Sequence, residues 1–402
     1  MHEQVIKYTA KLVSDHSALS NMIAFAAQDD IIISEGDPTL ASLAESILSS
    51  LNCLALAAAV PALPFADFLI RRSAPLNHNI IPRDTETRTF LHDIPIVRKS
   101  ELGCDPAGTI VTLLGNRKGI VVEGVGIIAT GALTVEQAYI NWSSIFHSTY
   151  IKYLEDILQQ GFMLPDEESE FFRFRTEWLQ PLTTEGLEFR QGPFEDKSTI
   201  LDEIATVGRY TVQRGLVDSY FGNISYRHGD LTYISQTASS LDELQGCIDP
   251  VPFTDDSTVG ITASSELVAH RGIYEQTGCR AILHGHPRFS VIMSMLCDEQ
   301  LKCGITDCWR DCKKVRRLGG TPVVAGEIGA GGLAKNVPPV IGESGCAIVY
   351  GHGVFAIGRQ DFDEAFKALV DVENWCREEY FRRFDELNIQ RLELPAKQSC
   401  PS

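Results

Sequence analysis

The chain carries the same pattern once in each half. Residues 124–131 read Gly-Val-Gly-Ile-Ile-Ala-Thr-Gly, and residues 351–358 read Gly-His-Gly-Val-Phe-Ala-Ile-Gly. The number of residues that separates these two blocks, or one residue fewer, also separates further pairs of identical residues. These pairs occur in the same order along the chain: Pro95 with Pro322, Ala138 with Ala365, Cys53 with Cys279, Ala55 with Ala281 and Pro61 with Pro287. Because matching blocks recur in one order at nearly one spacing, the sequence predicts two copies of a single fold.

The two copies differ where polar chemistry could lie. The second copy has histidines at three positions where the first copy has apolar residues: His284 against Ala58, His286 against Val60 and His352 against Val125. If these histidines only filled a core, at least one polar counterpart could have persisted. Their joint absence from the first copy indicates that the three act together.

Two of these histidines end a predicted buried strand, residues 281–287. Residues two apart on a strand point to the same face, so His284 and His286 can both reach one point beyond the strand end. A neutral imidazole is the commonest metal ligand in proteins. The alternative is a pair of packed, hydrogen-bonded histidines, but the comparison of the two copies favours a metal site formed by His284, His286 and His352.

Charge and composition limit the partners. The 402-residue chain has a net charge of −18, which argues against nucleic acid or an anionic membrane as a partner. An anionic small substrate remains possible, because it needs only local positive charge or backbone N–H groups. The longest apolar run, residues 54–64, is too short to span a membrane. No secretory signal precedes the 11 cysteines, which predicts reduced thiols and a cytoplasmic protein.

The length predicts more than one domain. We place a first copy without a metal site at residues 1–162, a connection at 163–194, a catalytic copy at 195–391 and a flexible tail at 392–402. The connection is rich in charge, proline and aromatic residues and lacks helical periodicity. Just before it, residues 134–158 show a long helical pattern.

Several motifs of the second half together resemble the class II aldolase/adducin family. They are Gly222-Asn223-Ile224-Ser225-Tyr226-Arg227, then Ser264-Ser265-Glu266 with His270, then His284-Gly285-His286-Pro287, and finally Gly351-His352-Gly353. The resemblance covers about residues 198–385. It implies an α/β fold in αβα layers around a mostly antiparallel sheet, preceded here by a degenerate copy of the same fold.

The resemblance also implies a divalent metal, Zn²⁺ or another ion such as Mn²⁺, on the three histidines, with Glu266 as the base. Three imidazoles leave an open position on a catalytic zinc ion, where a carbonyl substrate can bind. From its position, Glu266 is expected in the first turn of a helix beside the metal strand. The other reading of Glu266 is a solvated residue that the helix dipole favours. His270 is read as structural.

A phosphate site is predicted near the same strand. Ser264 and Ser265 are placed at a helix start, where free N–H groups bind anions, although they could also be simple caps. Gly222 permits close approach of a ligand, Asn223 offers an amide donor, and Ser235 belongs to the stretch that completes family phosphate sites. That stretch has Ala238 where glycine is expected, so the substrate could instead bear a carboxylate or no charge.

We therefore predict a metal-dependent lyase of the aldolase type that acts on a small sugar or sugar phosphate. A decarboxylase, dehydratase or 4-epimerase with the same site, or an adducin-like interaction module, is the alternative.

The resemblance implies homo-oligomers with sites between subunits, and the first copy is expected to replace part of one such contact. No catalytic acid can be assigned by motif; Tyr380 is a candidate that could equally pack. The cysteines of one cluster are read as reduced packing residues: Cys297, Cys303, Cys308 and Cys312.

Overall fold

The computed structural model describes residues 1–217, 220–253 and 258–393. The first half and the connection contain seven helices and seven strands in the order α1 His2–Ser14, β1 Ala18–Gln28, β2 Ile32–Gly36, α2 Pro38–Leu48, β3 Ala55–Pro61, α3 Phe65–Arg72, β4 Asn79–Ile80, α4 Thr85–Leu91, β5 Ile94–Val97, α5 Pro106–Leu114, β6 Gly119–Val122, β7 Gly126–Gly131, α6 Val135–Gln160 and α7 Glu167–Glu177.

The second half continues the chain with the elements α8 Lys197–Gln213, β8 Asn223–His228, β9 Leu231–Ser235, β10 Ile248–Pro252, α9 Leu267–Thr277, β11 Ala281–Gly285, α10 Arg288–Met295, α11 Gln300–Cys303, α12 Cys308–Asp311, β12 Arg316–Leu318, β13 Thr321–Val324, α13 Gly329–Asn336, α14 Pro338–Ser344, β14 Cys346–Val349, β15 Gly353–Gly358 and α15 Phe362–Glu393. Short 3-10 turns add Lys99–Glu101 and Thr258–Ile261. The predicted tail therefore begins inside α15, and residues 394–402 lie outside the described part.

The two sheets have matching topologies. The first runs β2-β1-β3-β7-β6-β5-β4, and the second runs β10-β9-β8-β11-β15-β14-β13-β12. In the described residues each sheet has one parallel pair, β5 with β6 and β13 with β14, and its other pairs are antiparallel. Apart from the additional β10, each strand of the second sheet has a counterpart at the same place in the first. The predicted fold class is confirmed.

The registers match residue by residue as well. Ala58 pairs with Ile128 in the first sheet, and His284 pairs with Phe355 in the second. Ala58 therefore occupies the position of His284 in the first sheet, as the sequence comparison predicted.

Both faces of each sheet are buried. Along β3, Ala55, Ala57 and Ala59 join one apolar cluster, whereas Leu56 and Ala58 join another on the opposite face. The larger cluster includes residues from both halves, so the halves share a core. The predicted packing of the first half against the second is present in the structure.

The connection differs from the prediction because it contains helix α7. Phe171 and Phe174 of this helix are fully buried, and Phe171 packs against Phe384 with ring centroids 4.6 Å apart. Burying such a ring contributes about 1.5–3 kcal/mol. The helix escaped the sequence pattern because its apolar stripe is narrow and glutamates surround it. Within the described residues, no helix is both long and apolar enough to cross a bilayer.

Candidate metal centre and active site

The three histidines lie on two neighbouring central strands. His284 is in β11, His286 follows the end of β11, and His352 is in the turn just before β15. Strands β11 and β15 are antiparallel, and Gly285 pairs with Val354. The end of one strand therefore lies beside the beginning of the other, and this arrangement brings together histidines that are distant in sequence.

The ring nitrogens converge on one point. One nitrogen from each of the three rings lies within 4.8 Å of the other two, and the Nε2 atoms of His284 and His286 are 3.0 Å apart. Nitrogens on a tetrahedral zinc ion are about 3.3 Å apart, given Zn–N bonds of about 2.0–2.1 Å. In the described part of the chain, these histidines form the one group of three or more histidine, cysteine or acidic residues with metal-binding geometry. The cluster of four cysteines does not form such a group.

Two of the three imidazole rings have an acceptor beside the nitrogen that faces away from the centre of the site. His284 donates from Nδ1 to the carbonyl oxygen of Val354 at 3.0 Å, and Nδ1 of His352 lies 3.3 Å from a carboxylate oxygen of Glu86. An acceptor at Nδ1 fixes the tautomer and turns the Nε2 lone pair towards a metal. The donor set and its orientation therefore fit a divalent cation.

Glycines permit this close assembly. Gly222 has φ +137°, and a Cβ atom there would lie 2.6 Å from the carbonyl oxygen of His284. A Cβ atom at Gly353 would lie 2.7 Å from Cδ2 of His286 and 2.9 Å from Cε1 of His284. Glycine at these positions leaves the space that the histidine strand and its rings occupy.

Glu266 lies beside the three rings. Its carboxylate oxygens are 3.3 Å from Nε2 of His352 and 3.5 Å from Nε2 of His284, and one of them accepts from Nδ2 of Asn223 at 2.8 Å. Burial opposes ionisation, but the two imidazoles and the amide outweigh it and hold the pKa of Glu266 below its usual range. Glu266 is thus an ionised group at the centre of the site.

A buried network supports Asn223. Its Oδ1 lies 2.5 Å from Nε2 of His270, and Nδ1 of His270 lies 2.6 Å from the hydroxyl of Ser225. Ser225 in turn contacts the hydroxyl of Tyr274 at 2.6 Å. His270 is fully buried, and burial lowers its pKa to about 3. This placement agrees with a structural histidine that orients Asn223 and, through it, Glu266.

The candidate ligands differ in protonation. Burial lowers the pKa of His284 and, more strongly, that of His286. Burial acts in the same direction on His352, but its contacts with Glu266 and Glu86 outweigh burial and raise the pKa to about 10. A ligand nitrogen must be free of its proton, so a metal at this position would have to displace the proton of His352.

A cavity of about 520 Å³ opens onto the three histidines. The second half contributes most of the predicted site residues: Gly222, Asn223, Ser264, Ser265 and Glu266. The first half contributes an opposite wall that the sequence analysis did not identify: Glu86, Phe90, Lys118, Gln137, Ile140 and Asn141. The duplication was the available signal for this wall, because a second copy can take the place of a neighbouring subunit.

An aromatic surface joins the two halves within this cavity. The ring of Phe221 lies parallel to that of His286 at 5.9 Å, and Phe90 packs edge-on against Phe221 at 5.7 Å. The ammonium group of Lys118 lies 3.2 Å from the centre of the Phe90 ring. The cationic group of Lys118 therefore lies at the end of this aromatic surface that the first half contributes.

The prediction for Ser264 and Ser265 needs correction. Helix α9 begins at Leu267, with Glu266 at its N-cap position, so the serines precede the helix. Their N–H groups are not free either, because Ser264 donates to the carbonyl oxygen of Ser235 and Ser265 donates to the hydroxyl of Thr237. Only their side chains are candidates for binding an anion.

Ser235 is also placed differently from the prediction. Its side chain is buried and accepts a hydrogen bond from the N–H of Ile224, and Ser235 is absent from the lining of the cavity. Thr237 and Ala238 line the cavity instead. Ala238 has φ +59°, a conformation that favours glycine, so the glycine expected at this position has a structural reason.

The candidate acid Tyr380 is outside the cavity. Tyr380 is fully buried, and its hydroxyl donates to the carbonyl oxygen of Leu154 at 2.8 Å, which assigns it to packing. A larger cleft of about 910 Å³ also lies between the halves, lined among others by Arg83 and Trp309, and contains none of the three histidines.

The second half of the chain is similar to known proteins. The family model described as Class II Aldolase and Adducin N-terminal domain matches residues 202–380. This part of the chain is therefore similar to class II aldolase/adducin domains. The match includes the three histidines, Glu266 and Asn223, whereas the first half lies outside it.

Individual relatives are distant. An L-fuculose phosphate aldolase of Methanococcus maripaludis is 29% identical over 167 residues, which are 41% of this chain and 88% of the relative. The solved l-fuculose-1-phosphate aldolase of Thermus thermophilus is 24% identical, with a TM-score of 0.36, over 51% of this chain and 100% of its own. A sugar-phosphate aldolase of Thermotoga maritima is 16% identical, with a TM-score of 0.35, over 50% of this chain and 98% of its own.

Proposed function

We propose that the protein is a metal-dependent aldolase that cleaves or forms a carbon–carbon bond in a small sugar or sugar phosphate. The observation that carries the proposal is the convergence of His284, His286 and His352 on one point with the ionised carboxylate of Glu266 beside it. The family match and the similarity to an L-fuculose phosphate aldolase support this choice of chemistry.

The three histidines would hold the cation, Zn²⁺ or Mn²⁺, through nitrogen atoms. A divalent cation bound there polarises the substrate carbonyl and stabilises the negative charge that develops as the carbon–carbon bond breaks. Imidazole suits zinc well, whereas manganese prefers more oxygen ligands, so zinc is the first choice.

Glu266 acts as the general base. In the cleavage direction it takes the proton of the substrate hydroxyl, the carbon–carbon bond beside that hydroxyl breaks to release an aldehyde, and the electron pair passes to the carbonyl fragment as an enediolate. The protonated Glu266 then returns this proton to the enediolate carbon, which gives the ketone product and restores the carboxylate. Asn223 and His270 hold the carboxylate in place for this step. Its contacts with two candidate ligands place Glu266 within reach of a substrate bound there.

The cavity has a size that suits such a substrate, since small-molecule sites commonly measure about 300–1,000 Å³. We place the phosphate at the side formed by Gly222, Asn223, Thr237 and the side chains of Ser264 and Ser265. The hydroxyls of Ser264 and Ser265, which line the cavity, support this placement.

The test combines metal binding with turnover. Calorimetric titration with Zn²⁺ and Mn²⁺ is expected to show one site in the wild type and none in His286→Ala. His78→Ala, which removes an exposed histidine of the first half, serves as the control and should bind normally. Glu266→Gln should retain zinc but lower kcat by about 10²- to 10⁴-fold, the usual contribution of a general base.

The substrates to screen are ketose 1-phosphates and 5-phosphates, with release of an aldehyde as the readout. Zinc binding without carbon–carbon cleavage, but with loss of CO₂ or water or with epimerisation, would move the assignment to a decarboxylase, dehydratase or 4-epimerase. Failure of the wild type to bind either metal would favour the non-catalytic, adducin-like module.

A further inference from the structure

The two copies differ in one connection as well as in their histidines. In the second sheet, β12 and β13 are joined by a tight turn at Gly319 and Gly320. The equivalent strands of the first sheet, β4 and β5, pair in the same way but are joined by residues 81–93. This longer connection contains helix α4, so α4 has no counterpart in the second copy.

Helix α4 contacts the turn that carries His352. The N–H and the hydroxyl of Thr85 both donate to the carbonyl oxygen of Gly351, at 2.6 and 3.0 Å. Asp84, which is buried, caps the helix by accepting from the N–H and the hydroxyl of Thr87. The first turn of α4 is thus fixed at both sides, and Glu86 lies within it.

Glu86 then contacts His352 itself. Its Oε2 is 3.3 Å from Nδ1 of His352, while Nε2 of the same ring faces Glu266 and the centre of the site. His284 has the same arrangement, with the carbonyl oxygen of Val354 at its Nδ1. Each of these two rings therefore has an acceptor behind it, and for His352 that acceptor comes from the first half.

We propose that Glu86 is a positioning residue for the candidate ligand His352, so that the first copy, which has no ligand of its own, completes the metal site of the second. The proposal rests on the proposed function in that His352 must bind the metal. Acceptors that contact the outer nitrogen of a ligating histidine fix its orientation, and their removal commonly weakens metal binding by about 10- to 100-fold.

The experiment measures zinc affinity by competition with a chromophoric chelator, using the full chain. Glu86→Ala is expected to weaken zinc binding by about 10- to 100-fold. Glu86→Gln should bind more tightly than Glu86→Ala, because an amide oxygen can still accept from Nδ1–H. Glu168→Ala, which removes an exposed carboxylate of α7 that does not line the cavity, matches the change in charge and should bind like the wild type.

Cobalt substitution gives a second readout. The visible absorption bands of bound Co²⁺ report the geometry of its ligands, so they should change in Glu86→Ala and remain unchanged in Glu168→Ala. Thermal unfolding without metal checks that Glu86→Ala folds, which is expected because the Glu86 side chain is 33% exposed.

The possible outcomes separate the two proposals. Wild-type zinc affinity and an unchanged cobalt spectrum in Glu86→Ala would overturn the role of Glu86 and leave the proposed function intact. Equal weakening in Glu86→Ala and Glu168→Ala would overturn it too, because the effect would then come from net charge. A wild type that binds no metal would overturn the proposed function, and the role of Glu86 with it.

Discussion

Replacing Gly353 by alanine tests whether the space around the rings matters for metal binding. A Cβ atom at this position would lie 2.4 Å from the carbonyl oxygen of Gly285, 2.7 Å from Cδ2 of His286 and 2.9 Å from Cε1 of His284. Contacts this short are repulsive, so Gly353→Ala must separate β15 from β11 or rotate the imidazoles.

The expected losses of stability and of zinc affinity can both be estimated. Inserting a methyl group into a packed region typically costs about 1–3 kcal/mol of the free energy of unfolding. For domains of 150–250 residues, each kcal/mol lowers Tm by about 2–4 °C. Zinc affinity should fall by at least about 10-fold, the lower end of what is lost when only the orientation of a ligand is disturbed.

The duplication provides a matched control. Gly126 is the counterpart of Gly353 in the first half, where a Cβ atom would lie 2.4 Å from the carbonyl oxygen of Ala59 and the backbone has φ +106°. Gly126→Ala should therefore lower Tm at least as much as Gly353→Ala. The rings of the three histidines belong to the other half, so zinc affinity should not change.

The assay is differential scanning calorimetry without metal, followed by zinc titration of both variants. The reasoning is refuted if Gly353→Ala binds zinc like the wild type, or if both glycine variants lose affinity equally. The first result would mean that the rings tolerate displacement. The second would mean that general loss of stability, and not the position of the rings, controls zinc binding.

Two more substitutions test local electrostatics and backbone strain. Burial raises the pKa of Asp84 from 3.8 to about 6, so the folded state binds more protons than the unfolded state between these values, and stability falls as pH rises through this window. Asp84→Asn keeps a capping side chain without the charge. Chemical denaturation should show that its free energy of unfolding, relative to that of the wild type, rises by up to about 3 kcal/mol from pH 4 to pH 7. A difference in the free energy of unfolding that does not depend on pH would contradict this. Ala238→Gly should relieve the left-handed strain and raise the free energy of unfolding by less than about 1 kcal/mol, since glycine also loses more entropy on folding; a lower Tm would show that Ala238 is not strained.

The sequence predicted the elements whose patterns are long or repeated. The helical pattern over residues 134–158 corresponds to α6, Val135–Gln160, with Thr134 at its N-cap position. The repeat predicted that Ala58 and His284 occupy equivalent places, and the strand registers bear this out. Such predictions succeed because periodicity and internal similarity are local properties of the chain.

The start of α9 shows where local reasoning failed. Ser264-Ser265-Glu266 looks like the beginning of a helix, because serines are good caps and acidic residues favour the first turn. In the structure, the N–H groups of both serines bond to Ser235 and Thr237 of a distant segment. These long-range hydrogen bonds hold the serines outside the helix, which therefore begins at Leu267.

The wall contributed by the first half could not be read from either copy alone. The first copy has apolar residues at the positions of the three histidines, and it packs against the second copy in a shared core. The connection that carries α4 is longer than its counterpart, and its helix contacts the His352 turn of the other copy. If Glu86 has the role proposed for it, the two copies cannot be separated without weakening the metal site. The histidine positions alone indicate a site in the second half, whereas the contacts of α4 show that residues of the first half lie beside it.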